Sequence, residues 1–275
     1  MIQKICKKAE TLTEFLKKAG FGYYQSKKLL QQKEVKVNGI RRQEDVNLSV
    51  GDEVEIYAEP QKQLPILFED EHLLVVDKPA GIEVTGDCGV ESVLCEAGKR
   101  CYAVHRLDRN TCGVLLLAKT PAMKVALEKA FYEKRLQKVY LAVLVGVPPR
   151  QAVWKDFLFK DAKKKRVYVS KQPKKGALPI ETHYRVLDQN GALALAEVKL
   201  ITGRTHQIRA HMAFYGYPVL GDGKYGDYEK NKKYGQKIQQ LCCKRLKIEQ
   251  APGLEKYRGK EFQSPHEFSL QTYKA

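Results

Sequence analysis

The chain has 275 residues, with 49 Lys+Arg against 32 Asp+Glu and a formal net charge of +17. That length can bury a full core, as one large domain or as a large and a small one, and the basic excess points to a polyanionic partner such as nucleic-acid phosphates. No apolar stretch reaches the roughly 18–20 residues that a membrane span needs, and the first eight residues, MIQKICKK, lack the apolar centre of a signal peptide. The expectation is a cytoplasmic protein without membrane contact.

In chain order, Leu12, Phe15, Leu16 and Ala19 recur at helical spacing, and Gly20 can end that helix. Ser26 is placed to cap a second helix carrying Leu29 and Leu30. Val35-Lys36-Val37 alternates into Asn38-Gly39, a hairpin signal, and a strand over 53–57 follows the turn at Gly51-Asp52. The polar, proline-containing stretch 58–63 reads as a linker. The expected organisation is a small unit at 1–57 and a large one at 64–275.

From Ile66 onward the pattern turns β-rich. Strands are expected at 73–76, 114–118, 139–145, 167–169, 184–187 and 192–200, the last two joined by a tight turn at Asn190-Gly191. One helix starts at Thr120-Pro121, a cap followed by proline at the first helical position, and runs to about Arg135. Another runs from near Thr205 to near Gly216. The fold class expected is α+β, a mixed, mainly antiparallel sheet with flanking helices. Basic charge is uneven along it: residues 1–57 hold 11 Lys+Arg and 8 Asp+Glu, 155–175 nine and two, 224–260 eleven and four.

The seven cysteines form no regular framework and no Cys-x-x-Cys pair, as suits a reducing compartment. Adjacent Cys242-Cys243 is poor zinc spacing, and His206 and His211 are five apart, one more than a metal-binding pair on a helix face. Neither metal nor cofactor is expected. Chemistry concentrates instead in His105-Arg106-Leu107-Asp108-Arg109-Asn110-Thr111-Cys112-Gly113, which runs into an apolar strand. Asp108 stands between two guanidiniums, which favour its charged form. The residues alone leave open a nucleophile or base, or a structural Asp–Arg pair capping a loop.

This segment, with its apolar strand and Ala118-Lys119, resembles the signature of the RluA family of RNA pseudouridine synthases. So do Lys78-Pro79-Ala80-Gly81 upstream, Lys138-Val139-Tyr140 downstream, the stretch from Thr202 to Met212, and Gly221-Asp222-Gly223-Lys224-Tyr225-Gly226. In order, these cover roughly residues 64 to 270. The helix–helix–small-sheet pattern of 1–57 resembles the alpha-L RNA-binding motif of the S-four type, a small α/β domain that often precedes the synthase domain in this family. The resemblance implies the pseudouridine synthase fold, an isomerase needing no cofactor, and a monomer whose partner is ribosomal or transfer RNA.

It also implies residue roles. Asp108 matches the family's catalytic aspartate, acting as nucleophile or as base toward a sugar proton. Arg204 matches the arginine that pairs with that carboxylate, Tyr140 the tyrosine that stacks on the target uracil, and Arg106 the residue that fills the space left by the flipped nucleotide. Lys27, Lys28, Lys33, Arg41 and Arg42 would contact phosphates. Cys112 stands where the family usually has serine, and Leu241-Cys242-Cys243 where many relatives have Leu-His-Ala. The competing functions are a catalytically silent RNA-binding or ribosome-assembly protein, which needs no anionic group facing phosphates, and a Cys–His hydrolase built on Cys112 and His105.

Overall fold

A computed structural model describes residues 1–59 and 64–273; most of the expected linker, residues 60–63, lies outside the described residues. The chain divides into two units, Met1–Leu64 with Thr85–Cys101, and Pro65–Val84 with Tyr102–Ala275. No helix among the described residues is long and apolar enough to cross a membrane.

The first unit holds β1 (Ile2–Ile5), β2 (Glu10–Thr11), α1 (Leu12–Lys18), α2 (Tyr23–Gln31), β3 (Val35–Val37), β4 (Ile40–Arg42), β5 (Asn47–Leu48), β6 (Glu53–Ile56) and α3 (Val90–Glu96). Four strands pair antiparallel in the order β1-β6-β3-β4, and β2 pairs with β5. Helix α1 opens with a capping box, Thr11 accepting from the Glu14 backbone while the Glu14 carboxylate accepts from Thr11. Its Leu12, Phe15 and Leu16 share a core with Phe21, Leu29, Leu30, Val35, Val37, Val54 and Ile56. Asn38 and Gly39 both take the left-handed conformation, as a tight hairpin turn requires.

Ser26 does not cap α2. That helix begins one turn earlier, after Gly22 in an extended conformation, and the Ser26 N–H already closes on the Gly22 carbonyl at 2.8 Å. The buried Ser26 hydroxyl turns back to the Phe21 carbonyl.

The second unit is one large sheet. Its strands are β7 (Ile66–Glu69), β8 (Leu73–Lys78), β9 (Tyr102–Ala103), β10 (Cys112–Ala118), β11 (Leu136–Val145), β12 (Gln151–Asp161), β13 (Arg166–Ser170), β14 (Leu178–Gln189), β15 (Leu193–Leu200), β16 (Leu241–Ile248) and β17 (Glu261–Gln263). They run in the order β13-β12-β14-β15-β11-β16-β10-β8-β7, with β9 on β10 and β17 on β16. Every pair is antiparallel except β10 with β16, so the class is α+β with a mixed, mainly antiparallel sheet. Val114 to Ala118 are wholly buried, the reading of a continuous apolar run as a central strand.

Among the described residues, three α-helices accompany the sheet: α4 (Pro121–Tyr132), α5 (Gln207–Phe214) and α6 (Tyr228–Lys233). Thr120 caps α4 through the Met123 N–H. Helix α5 is entered from His206, a left-handed residue with φ 53°, and Ala210 packs with Leu158, Val167, Ile180 and Tyr225. Gly113, at φ 106°, lets β10 start against β16, because a Cβ there would lie 2.3 Å from the Cys243 carbonyl oxygen. The start of β10, the middle of β11, the start of β16 and the N-terminus of α5 thereby converge.

Candidate active site

Asp108 sits in the turn before β10, closed by the Thr111 N–H on the Asp108 carbonyl at 2.9 Å. Thr111 is held in turn, its hydroxyl accepting from Gln239 at 2.7 Å. His105 anchors the other side: Nε2 accepts the Leu116 N–H at 3.0 Å and the ring packs on Phe131. Burial, with the Lys138 charge nearby, holds its pKa far below the ordinary range, so the ring is neutral with its proton on Nδ1.

Neither flanking arginine pairs with Asp108. Arg106 is exposed toward the pocket, and Arg109 donates from Nε to the Gly81 carbonyl at 3.0 Å while its own carbonyl accepts from the Gly81 N–H. Lys78, fully buried, directs Nζ at three carbonyls, Pro79 at 3.0 Å, Ile82 at 2.8 Å and Arg109 at 3.0 Å. Burial lowers its pKa to about 8, which still leaves an ammonium at neutral pH with three N–H groups for three acceptors. The Lys78-Pro79-Ala80-Gly81 segment thus clasps the Asp108 loop from behind.

The cation on Asp108 is Arg209. Its Nη1 reaches Asp108 Oδ2 at 2.8 Å, while Nε and Nη2 hold the two oxygens of Asp222 at 2.7 and 2.9 Å. Asp222 is closed to solvent and also accepts from the Lys224 and Tyr225 N–H groups. Burial opposes its charge, but Arg209's hydrogen bonds and charge outweigh burial and hold its pKa below the usual carboxylate range. A guanidinium pinned on both edges cannot swing away, so Asp108 meets a fixed charge. His206 Nε2 lies 3.9 Å from the same Asp108 oxygen, with Nδ1 on the Tyr225 hydroxyl at 2.9 Å; burial, foremost, lowers its pKa and keeps it neutral.

The expectation that Arg204 pairs with the carboxylate is therefore corrected. Arg204 falls in the turn before α5, where its backbone N–H bonds Gln207 Oε1 at 3.0 Å and its side chain is exposed toward the pocket. Arg209 lies within the helix, on the side that faces Asp108. It belongs to the same motif, and Asp222 to the motif after it, but spacing along the chain could not say which arginine would reach.

Among the described residues lining this pocket, Asp108 is the single carboxylate, facing Arg106, Lys138, Arg204, Arg209 and Tyr140. Tyr140 follows an irregularity in the β11–β16 pairing and stands opposite Cys243. Burial, then the neighbouring Cys243 and Asp108, pushes its pKa well above the ordinary value, so it is a neutral phenol.

Residues 72–214 match the profile of a family described as RNA pseudouridylate synthase. The chain belongs to this family. It is 32% identical over 245 residues to ribosomal large subunit pseudouridine synthase C of Buchnera aphidicola subsp. Schizaphis graminum, covering 78% of this chain and 76% of that protein. To the protein of the same name in Escherichia coli K12 it is 34% identical over 232 residues, 74% and 71% of the two chains. The structure of human RNA pseudouridylate synthase domain containing 4 matches with TM-score 0.59 and 28% identity, over 70% of this chain and 85% of that one. The human domain containing 1 protein shares the fold, with TM-score 0.62 and 24% identity over 78% and 95%. The chain is an isomerase of the RluA type, converting uridine in RNA to pseudouridine.

The geometry turns Cys112 away from the pocket chemistry. Cys112 turns its thiol toward the Leu241 carbonyl at 3.6 Å and is the register partner of Cys242, while His105 has its Nε2 occupied by Leu116. Cys242 approaches the Ser264 hydroxyl at 3.7 Å, and of the Leu241-Cys242-Cys243 segment Leu241 lines the pocket. Cys112→Ser is expected to keep near-parental turnover at a small stability cost, because the new hydroxyl can donate to the Leu241 carbonyl that the thiol faces. Loss of activity in folded protein, measured by single-turnover assay, would reinstate the thiol.

The five phosphate-contact candidates lie in the first unit. Lys27 is exposed and Lys28 half-buried on α2, Lys33 is exposed just after it, and Arg41 and Arg42 are on β4. Arg41 donates to the Lys33 carbonyl and lies over the Tyr57 ring at 5.0 Å. Arg42 is half-buried, with its Nε covered.

Proposed function

We propose that the chain isomerises specific uridines of ribosomal RNA, with Asp108 as the reacting carboxylate. The observation that carries this reading is the pocket in which Asp108 is the lone acid, fixed by Arg209 and Asp222. Pseudouridine formation detaches uracil at nitrogen 1, turns it, and rejoins the sugar through carbon 5. No electrons are gained or lost. The target must leave its stack to reach a recessed carboxylate, at a cost of a few kcal/mol. Tyr140 offers the freed base a neutral aromatic face, and Arg106 fills the vacated stack.

Asp108 then attacks sugar or base, or removes a sugar proton. Each route needs the carboxylate oriented toward the nucleotide, and the Arg209 hydrogen bond fixes that orientation. Negative charge developing on the detached pyrimidine faces Lys138 and Arg204, whose side chains line the pocket. The first unit, through Lys27, Lys28, Lys33, Arg41 and Arg42, holds the RNA as a phosphate-binding module, and the enzyme works as a monomer.

The names of the relatives favour ribosomal RNA of the large subunit as substrate. Carbodiimide-stop primer extension across ribosomal and transfer RNA, with and without the gene, tests this. Stops lost from large-subunit RNA are expected. Loss confined to transfer RNA would move the substrate, and no loss anywhere would support a catalytically silent binder.

A further inference from the structure

Two residues of α5, Gln207 and His211, lie four apart and so share one helix face, roughly opposite Arg209. Both are buried and join Asp156 and Thr182 in one hydrogen-bonded chain. His211 meets Asp156 Oδ2 at 3.0 Å through Nε2 and the Thr182 hydroxyl at 2.9 Å through Nδ1. Gln207 Nε2 reaches the Thr182 hydroxyl at 3.0 Å and the Glu181 carbonyl at 3.1 Å. Gln207 Oε1 accepts the Thr202 hydroxyl at 2.9 Å and the Arg204 N–H at 3.0 Å. The Thr202 oxygen in turn accepts the Glu181 N–H at 2.9 Å.

The directions of these bonds follow from chemistry. Asp156 can only accept, so His211 carries its proton on Nε2. Burial keeps the ring neutral, so Nδ1 accepts and the Thr182 hydroxyl donates to it. The Thr182 oxygen is then free to accept from Gln207, whose amide cannot flip without opposing its NH2 to the Arg204 N–H. Tyr215 adds an O–H bond to the same Asp156 oxygen at 2.8 Å, and Lys171 lies 3.4 Å from the other. Each link allows one arrangement, the condition under which a buried network specifies geometry.

We infer that His211 is a positioning residue of the isomerase site: held between Asp156 and Thr182, it fixes the α5 face that sets Arg209 on Asp108 and, through Gln207, the Arg204 backbone. This rests on Asp108 as the reacting carboxylate. None of the four side chains lines the pocket except Gln207, so the effect passes through the helix and the 202–206 turn.

The test is the single-turnover rate at saturating RNA, with RNA affinity measured alongside. His211→Phe, which keeps the bulk and removes both nitrogens, is expected to leave affinity unchanged and lower the saturated rate about 10- to 100-fold, the scale of an ångström-sized misplacement. Thr182→Val should do likewise and Thr182→Ser should restore the rate. In an Arg209→Lys background, His211→Phe should add little, because the two act along one route. An unchanged rate in folded His211→Phe, equal rates in Thr182→Val and Thr182→Ser, or additive losses with Arg209→Lys would overturn the inference. Should His211→Phe fail to fold, the Thr182 pair decides. Full turnover in Asp108→Asn would instead remove the underlying reading of Asp108, a separate outcome.

Discussion

Asparagine in place of Asp108 is expected to give a folded, RNA-binding protein whose turnover falls to background, by more than about 10⁴-fold, the loss typical when a group of a reacting unit is removed. Folding should survive because Arg209 keeps both bonds to Asp222, and because the position of Asp108, 17% exposed, lets water reach the substituted side chain. The asparagine keeps the size and can hydrogen-bond, but its amide nitrogen is neither nucleophile nor base. A single-turnover assay with RNA binding measured in parallel separates the two quantities. Turnover within tenfold of the parent would remove Asp108 from the chemistry and leave it as a loop-capping acid.

The parts of the fold that local pattern governs were legible. Continuous apolar runs gave β8 and β10, the Thr120-Pro121 cap gave α4, and two Asn-Gly pairs gave hairpins. The pattern went unread where polar residues face inward. In β12, Trp154, Asp156 and Leu158 are the buried side of an alternating strand that also carries Lys155 and Lys160. Its inward acid meets His211, Tyr215 and Lys171, none of them on β12. Strand β16 was obscured by its cysteines and basic residues, although Cys242 and Cys243 are fully buried.

The site divides along the same line. The Asp108 segment and Tyr140 are both at the pocket, because short motifs keep their shape locally. Which arginine meets Asp108 depended on where α5 begins. The left-handed His206 delays the helix to Gln207 and carries Arg209, rather than Arg204, to the carboxylate. Backbone of that kind in a non-glycine residue is a tertiary outcome, invisible to periodicity.

Arg209→Ala should damage stability and turnover together, and the two losses can be pulled apart. Removing the guanidinium leaves Asp222, wholly closed to solvent, with only the Lys224 and Tyr225 N–H groups as donors. Breaking a buried pair in this way costs about 3–5 kcal/mol. In the parent, the Asp222 pKa lies below its ordinary value of 3.8. The pair's contribution is therefore fully present above that range and lost as pH falls through and below it. In the variant burial is opposed only by the Lys224 and Tyr225 N–H bonds, so the deficit is expected to be largest at neutral pH and to shrink on acidification as the carboxyl takes a proton. Denaturant unfolding of both proteins at pH 7 and near pH 5 should show the gap narrowing, and a constant gap would mean that Asp222 does not carry the loss. Adding Asp222→Asn to the alanine variant removes the stranded charge and should recover much of the stability. Turnover should stay low, because Asp108 still lacks the cation that holds it in place. Near-parental turnover in that double variant would show that Arg209 serves only the fold.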